Sequence, residues 1–221
     1  MNRIGILCAC EKEIKPYLAD MEKTSVTEYA MHTFHSGTIG GKNIIAVFSG
    51  CGKINAAVTA QQLIDKFDVD CIIFSGIAGG LTRETNIFDT VVCTASEFRD
   101  TNNEIYSDFP VMESPVFHAD SHLLETARKA AFLADWNIHF GLATTGDIFT
   151  DNISPEALCI DMETAAAAHA CYLCGIPFIA IRSISDNNSD KGQETINRNF
   201  ERAAAQSYRF VKKMLSFCGE E

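Results

Sequence analysis

The sequence predicts a single α/β domain over residues 1–221, with strands and helices alternating around a central sheet. Three observations carry the prediction. Short runs such as Ile4–Ala9, Ile44–Phe48, Cys71–Phe74 and Phe178–Ile181 are apolar at nearly every position, the pattern of strands buried on both faces. Between such runs lie longer segments with apolar residues at helical spacing, as in Ala56, Ala60, Leu63, Ile64 and Phe67. A chain of 221 residues without repeat, linker or low-complexity segment also suffices for one substantial core.

Taken in order, Ile4–Ala9 forms a first strand. Ile14–Met21 forms a helix that tolerates Pro16 only in its first turn. Glu13 then falls at the strand-to-helix corner, where it either works on a ligand or merely complements the helix dipole. Val26–Phe34 alternates loosely, and Thr38–Asn43 has the composition of a hairpin turn. The strand Ile44–Phe48 ends in a glycine-rich corner, Ser49–Lys53, which lacks the spacing of a Walker phosphate loop. Cys71–Phe74 leads into Ser75-Gly76-Ile77-Ala78-Gly79-Gly80, read as a turn whose glycines let backbone N–H groups approach a ligand. Thr90–Ala95 is a strand, and Phe98–Asp120 a long loop of the kind that serves function or an interface. Ser121–Trp136 is a helix, Ile138–Thr145 a strand, and Cys159–Asp161 a short extended piece. Met162–Cys174 is an alanine-rich helix that packs closely on its neighbours. The strand Phe178–Ile181 ends abruptly in Arg182, Ser183, Ser185 and Asp186, and sites in α/β proteins lie just past such strand ends. An amphipathic helix over Thr195–Phe217 closes the chain.

Composition narrows the function. A net charge of −11 with no offsetting basic patch argues against nucleic acid or an anionic membrane as partner. No apolar run approaches the ~20 residues of a membrane helix, and Met1-Asn2-Arg3 runs straight into a strand without a signal peptide, so a cytoplasmic protein is expected. Nine cysteines scattered through apolar runs read as reduced, buried thiols. The pair Cys171 and Cys174 lies inside a helix; a zinc site needs a second pair and a redox motif a helix N-terminus, so neither is expected.

Glu13, Glu163 and Asp186 come from three separated segments, each at a strand end. Cleaving a glycosidic bond needs an acid for the leaving group, a base for water and a group that fixes the sugar. Three carboxylates can supply all three. They can also hold a divalent metal, a reading weakened by the lack of histidine beside them.

The pieces Gly5-Ile6, Glu13, Ser75–Gly80, Thr145-Gly146-Asp147-Ile148-Phe149, Asp161-Met162-Glu163 and Arg182-Ser183-Ile184-Ser185-Asp186 occur in that order. Together they resemble the bacterial 5′-methylthioadenosine/S-adenosylhomocysteine nucleosidases of the purine nucleoside phosphorylase superfamily, over nearly the whole chain. The resemblance implies a three-layer α/β/α sandwich around a central mixed sheet. It implies Asp186 as general acid at adenine N7, oriented by Ser185 and Arg182, and Glu13 as base for the attacking water. It implies Glu163 and Met162 on the ribose, Phe149 and the backbone of Thr150 on the purine, and the backbone of Ala78 and Gly79 on the sugar side. No cofactor and no metal are implied. The implied partners are a small purine nucleoside and a second copy of the chain.

Several residues depart from the family pattern. Ile77 stands where a serine is usual, and Asp161 where Glu is commoner. The segment between Phe149 and Asp161 is short, and Phe98–Asp120 lacks a familiar Tyr-His-Asp stretch. These departures loosen the substrate. Alternatives are a hydrolase of another purine nucleoside of the futalosine type, a phosphorylase, and a non-catalytic nucleoside-binding protein. Glu13 and the absence of arginine before the glycine-rich segment argue against phosphate as nucleophile.

Overall fold

Why the short strands are apolar throughout is answered by two cores, one on each face of the sheet. In β1 (Ile4–Cys8), Ile4, Ile6 and Cys8 enter one core while Leu7 enters the other. In β5 (Cys71–Gly80), Cys71 and Ile73 face the first, and Ile72 and Phe74 the second. Period-two alternation with both faces covered leaves no polar position. The computed structural model describes residues 3–101, 114–147, 155–187 and 193–219.

The first core is closed by α1 (Glu11–Asp20), α3 (Ser121–Ala131) and α5 (Gln193–Phe217) through residues such as Ile14, Leu123 and Phe210. The second is closed by α2 (Lys53–Phe67) and α4 (Thr164–Cys174), whose Ala56, Ala60, Ala165 and Ala168 carry little side chain and bring the two helices close. This is the expected three-layer arrangement. Its remaining strands are β2 (Glu22–Tyr29), β3 (His32–Ile39), β4 (Lys42–Phe48), β6 (Thr90–Phe98), β7 (Val116–His118), β8 (Ile138–Thr145), β9 (Ala157–Asp161) and β10 (Phe178–Asn187).

The sheet is mixed. It runs β2–β3–β4–β1–β5 and continues β10–β6–β8–β9, with β7 beside β6. β1 lies parallel to β4 and β5, and β10 parallel to β5 but antiparallel to β6. β9 then pairs antiparallel with β5 at Gly79–Ile160 and Gly80–Cys159, so the second half of the sheet curls into a closed ring. No described helix is long and apolar enough to cross a membrane.

Several boundaries differ from expectation. α1 starts at Glu11, because the Cys10 carbonyl accepts the N–H groups of Glu13 and Ile14; Pro16 is therefore its sixth residue rather than in its first turn. The segment Val26–Phe34 divides into two strands joined through Ala30, at φ 51°. α3 ends at Ala131 and α4 begins at Thr164. Part of the expected 98–120 loop is strand β7, and Phe98 and Phe117 are buried against each other and His169 rather than displayed. The largest difference lies at the centre. β5 does not turn at Ser75, and β10 does not stop at Ile181. The two strands stay paired from Ile72–Phe178 to Gly80–Asn187.

Candidate active site

The glycines of β5 provide room rather than a bend. Their backbone is ordinary strand, but a Cβ at Gly76 would overlap Glu13 Oε1 and lie 2.5 Å from Arg182 Nη1. One at Gly79 would lie 3.4 Å from Asp186 Oδ2. Three of the charged residues singled out in the sequence thus lie along one seam. Register places Arg182 beside Gly76, Ile184 beside Ala78 and, after a one-residue shift, Asp186 beside Gly79.

Glu13 reaches this seam from the first turn of α1, not from a corner before it. Its Oε2 accepts the N–H groups of Ala9 at 2.8 Å and Cys10 at 3.2 Å, and its Oε1 that of Ile77 at 2.8 Å. The side chain is buried, and burial raises its pKa against the pull of the Arg182 cation and the three N–H donors. A carboxylate has about four acceptor positions. Three are filled, and the open one is on Oε1.

Arg182 is fully buried, its guanidinium 4.1 Å from the centre of the Phe74 ring. Nε donates to Asp161 Oδ2 at 2.7 Å and to Thr164 Oγ1 at 3.0 Å. Nη2 lies at ion-pair distance, 2.7 Å from Asp161 Oδ2 and 3.7 Å from Glu163 Oε2, and neither Nη1 nor Nη2 has a hydrogen-bond partner among the described residues. The expected role of Arg182 in orienting Asp186 is therefore corrected: its hydrogen bonds go to Asp161 and Thr164. The reason is the side chain's position opposite Gly76, where β9 and the start of α4 face it.

Glu163, just before α4, accepts the Gly52 N–H on Oε1 at 2.7 Å. Burial, with the nearby Asp161 charge, pushes its pKa up to about 7 despite Arg182 and the Gly52 N–H. Asp161 goes the other way. Burial would raise its pKa, but Arg182 and the Thr145 and Thr164 hydroxyls hold it below the usual carboxylate range.

Asp186, half-buried, accepts the Ser185 hydroxyl on Oδ1 at 2.6 Å. Ser185 also lies 3.3 Å from the Ala78 carbonyl, and its own carbonyl accepts Asn199 Nδ2 at 2.8 Å, tying this end of β10 to α5. The pairing expected between Ser185 and Asp186 is present. Met162 is half-buried, Ala78 is buried and Gly79 is half-buried, all at this end of the sheet. Phe149 and Thr150 lie outside the described residues. Among the described residues no group of three or more His, Cys, Asp or Glu side chains is disposed to hold a metal.

Sequence reading missed three contributors. Thr145 and Thr164 bond Asp161, and the glycine corner before α2, dismissed as a phosphate loop, turns its Gly52 N–H onto Glu163. The signal available was the position of each at a strand end or helix start.

The sequence profile described as the phosphorylase superfamily matches residues 3–216. The 5′-methylthioadenosine/S-adenosylhomocysteine nucleosidase of Maridesulfovibrio salexigens is 34% identical, over 96% of this chain and 98% of its own. The crystal structure of such a nucleosidase from Colwellia psychrerythraea, in complex with adenine, superposes with a TM-score of 0.90 at 31% identity, covering 97% of this chain and 94% of the other. The futalosine hydrolase of Helicobacter pylori superposes with a TM-score of 0.88 at 26% identity, covering 97% of both.

Proposed function

We propose, from the premise that this chain belongs to the 5′-methylthioadenosine/S-adenosylhomocysteine nucleosidase family of the phosphorylase superfamily, that it hydrolyses the N-glycosidic bond of those two nucleosides and releases adenine. It is an enzyme, a hydrolase of N-glycosyl compounds. Asp186 delivers a proton to N7, so the purine leaves neutral as the bond from N9 to C1′ breaks. Water adds at C1′ and passes its proton to Glu13 Oε1. The negative charge of Glu13 favours the oxocarbenium-like transition state. Glu163 accepts the ribose hydroxyls on its Oε2 side, Met162 packs on the sugar, and the backbone of Ala78 and Gly79 lines it. Phe149 and Thr150 meet the purine.

One observation carries the choice of water over phosphate. The N–H groups of Ala9, Cys10 and Ile77, which could otherwise cradle an anion, are already occupied by the Glu13 carboxylate. A second anion beside it is repelled. The test is incubation with methylthioadenosine, S-adenosylhomocysteine, a futalosine-type nucleoside and inosine, each with and without phosphate. Adenine and free methylthioribose are expected, unaffected by phosphate, and Asp186→Asn should lower turnover by ~10²–10⁴-fold. Sugar 1-phosphate as main product, or an unimpaired Asp186→Asn, would overturn the reading. Release of base from the futalosine-type substrate alone would move the assignment to that hydrolase.

The proposal extends to one domain over residues 1–221, acting in the cytoplasm, where nine free cysteines stay reduced. It also includes a homodimer. α2 and α4 share an outer face on which Ile54 is 80%, Val58 47%, Tyr172 44% and Leu173 54% exposed.

A further inference from the structure

We propose that Asp161 is a positioning residue for the hydrolysis: it holds the Arg182 guanidinium at a fixed place between Glu13 and Glu163, so that neither of those carboxylates is captured as its ion-pair partner. The proposal rests on the nucleosidase reading above.

Arg182 is one buried cation facing three buried carboxylates. Two of them, Glu13 and Glu163, have chemistry to perform and need open acceptor positions. Glu13 keeps one on Oε1, and Glu163 keeps Oε2, which lies 3.7 Å from Nη2. Asp161 keeps none. Its Oδ1 accepts the Thr145 hydroxyl at 2.6 Å and the N–H groups of Glu163 at 3.1 Å and Thr164 at 3.0 Å. Its Oδ2 accepts Arg182 Nε at 2.7 Å and the Thr164 hydroxyl, with Arg182 Nη2 also at 2.7 Å. A carboxylate with every acceptor filled cannot serve substrate, but it is well suited to pin a cation.

The same carboxylate fixes the peptide of Glu163 through its N–H, so the cation and the sugar-binding carboxyl share one anchor. Without the charge at Asp161, the strongest remaining partners of Arg182 are Glu163 and Glu13. A two-bond pair with either would occupy the oxygens that the diol or the water requires. The reach of the short Asp side chain is completed by Thr164, whose hydroxyl contacts both Asp161 and Arg182 Nε.

The groups that bear on Glu163 are Asp161 on β9, Arg182 on β10, Glu13 on α1 and, just before α2, the Gly52 N–H and the Cys51 thiol. Asp161 raises the Glu163 pKa, and Arg182 lowers it. Asp161→Asn removes the first and leaves the second to act on Glu163 without a competing charge at Asp161.

The test is the pH profile of kcat/KM for adenine release by wild type, Asp161→Asn, Asp161→Glu and Asp161→Glu with Thr164→Ala, with folded protein quantified by circular dichroism. Asp161→Asn should lower kcat by about 10²-fold and move the acidic limb down by roughly one unit. Asp161→Glu keeps the charge but overreaches into Thr164. It should lower kcat with the limb in place, and Thr164→Ala should recover most of the loss. If Asp161→Asn does not fold, the Glu pair still decides. Activity that falls only in step with folded protein, an unmoved limb in Asp161→Asn, or wild-type kcat in Asp161→Glu overturns the positioning role. Wild type that releases no adenine would instead overturn the nucleosidase reading.

Discussion

At the scale of single residues, the sequence named the carboxylates but not their relationships. Glu13, Glu163 and Asp186 were legible because each follows within a few residues of an extended, mostly apolar run. That Asp161, one methylene short of the family's usual residue, is the principal counter-ion of Arg182 was not legible, since the pairing joins β9 to β10 through space. The pKa directions give a stability prediction. Glu163 is raised from 4.5 to about 7. Between those values the folded protein binds more protons than the unfolded chain, so this stabilisation is full below pH 4.5 and lost as pH rises through about 7. Glu13 shifts in the same direction, whereas Asp161, lowered, contributes stability that is lost only as pH falls below its ordinary 3.8. Melting temperatures taken from pH 5 to pH 8 should therefore fall more steeply for wild type than for Glu163→Gln, which cannot ionise. Parallel slopes would rule out Glu163 as the source.

At the scale of elements, pattern reading ended β5 and β10 where the apolar runs ended. Polar residues normally mark a strand's exit from the core. Here Arg182, Ser183 and Ser185 remain buried because partners distant in sequence face them: Asp161 for Arg182, the Thr90 hydroxyl, 2.9 Å away, for Ser183, and the Ala78 carbonyl, 3.3 Å away, for Ser185. The glycines of β5 were noticed but assigned to a turn, when their purpose is space. Gly76→Ala should show this. Its Cβ would push Glu13 and Arg182 apart, at a cost of about 1–3 kcal/mol and with most activity gone. Gly41→Ala is the control: it meets no neighbour within 4 Å, and its φ of 77° alone makes it the milder change. Equal losses in denaturant titrations of the two variants would deny the packing role.

At the scale of the whole molecule, the two-core layering was readable from the all-apolar strands, whereas the curl that returns β9 to β5 was not, because only two residue pairs make that closure. Assembly beyond one chain is predicted from the outer face of α2 and α4. Part of the loop expected to join that interface lies outside the described residues, but its flanks do not, and Phe117 stacks on His169 of α4 at 4.7 Å between ring centres. Light scattering at micromolar concentration should give the mass of a dimer, and Ile54→Glu should shift it toward monomer. A monomer mass for the fully active wild type would remove the dimer from the proposal.

The ring also constrains how the molecule comes into being. β5 borders β1, β9 and β10, so the middle strand of the site is made early and two of its neighbours late. While the chain is being synthesised, one edge of β5 stays without its partner until β10, the last strand, has emerged, and an open strand edge is where nascent chains stick to one another. Asn199, which holds Ser185, comes later still. A chain that stops short of β10 lacks both Arg182 and Asp186, so a half-made copy exposes this edge without holding the site.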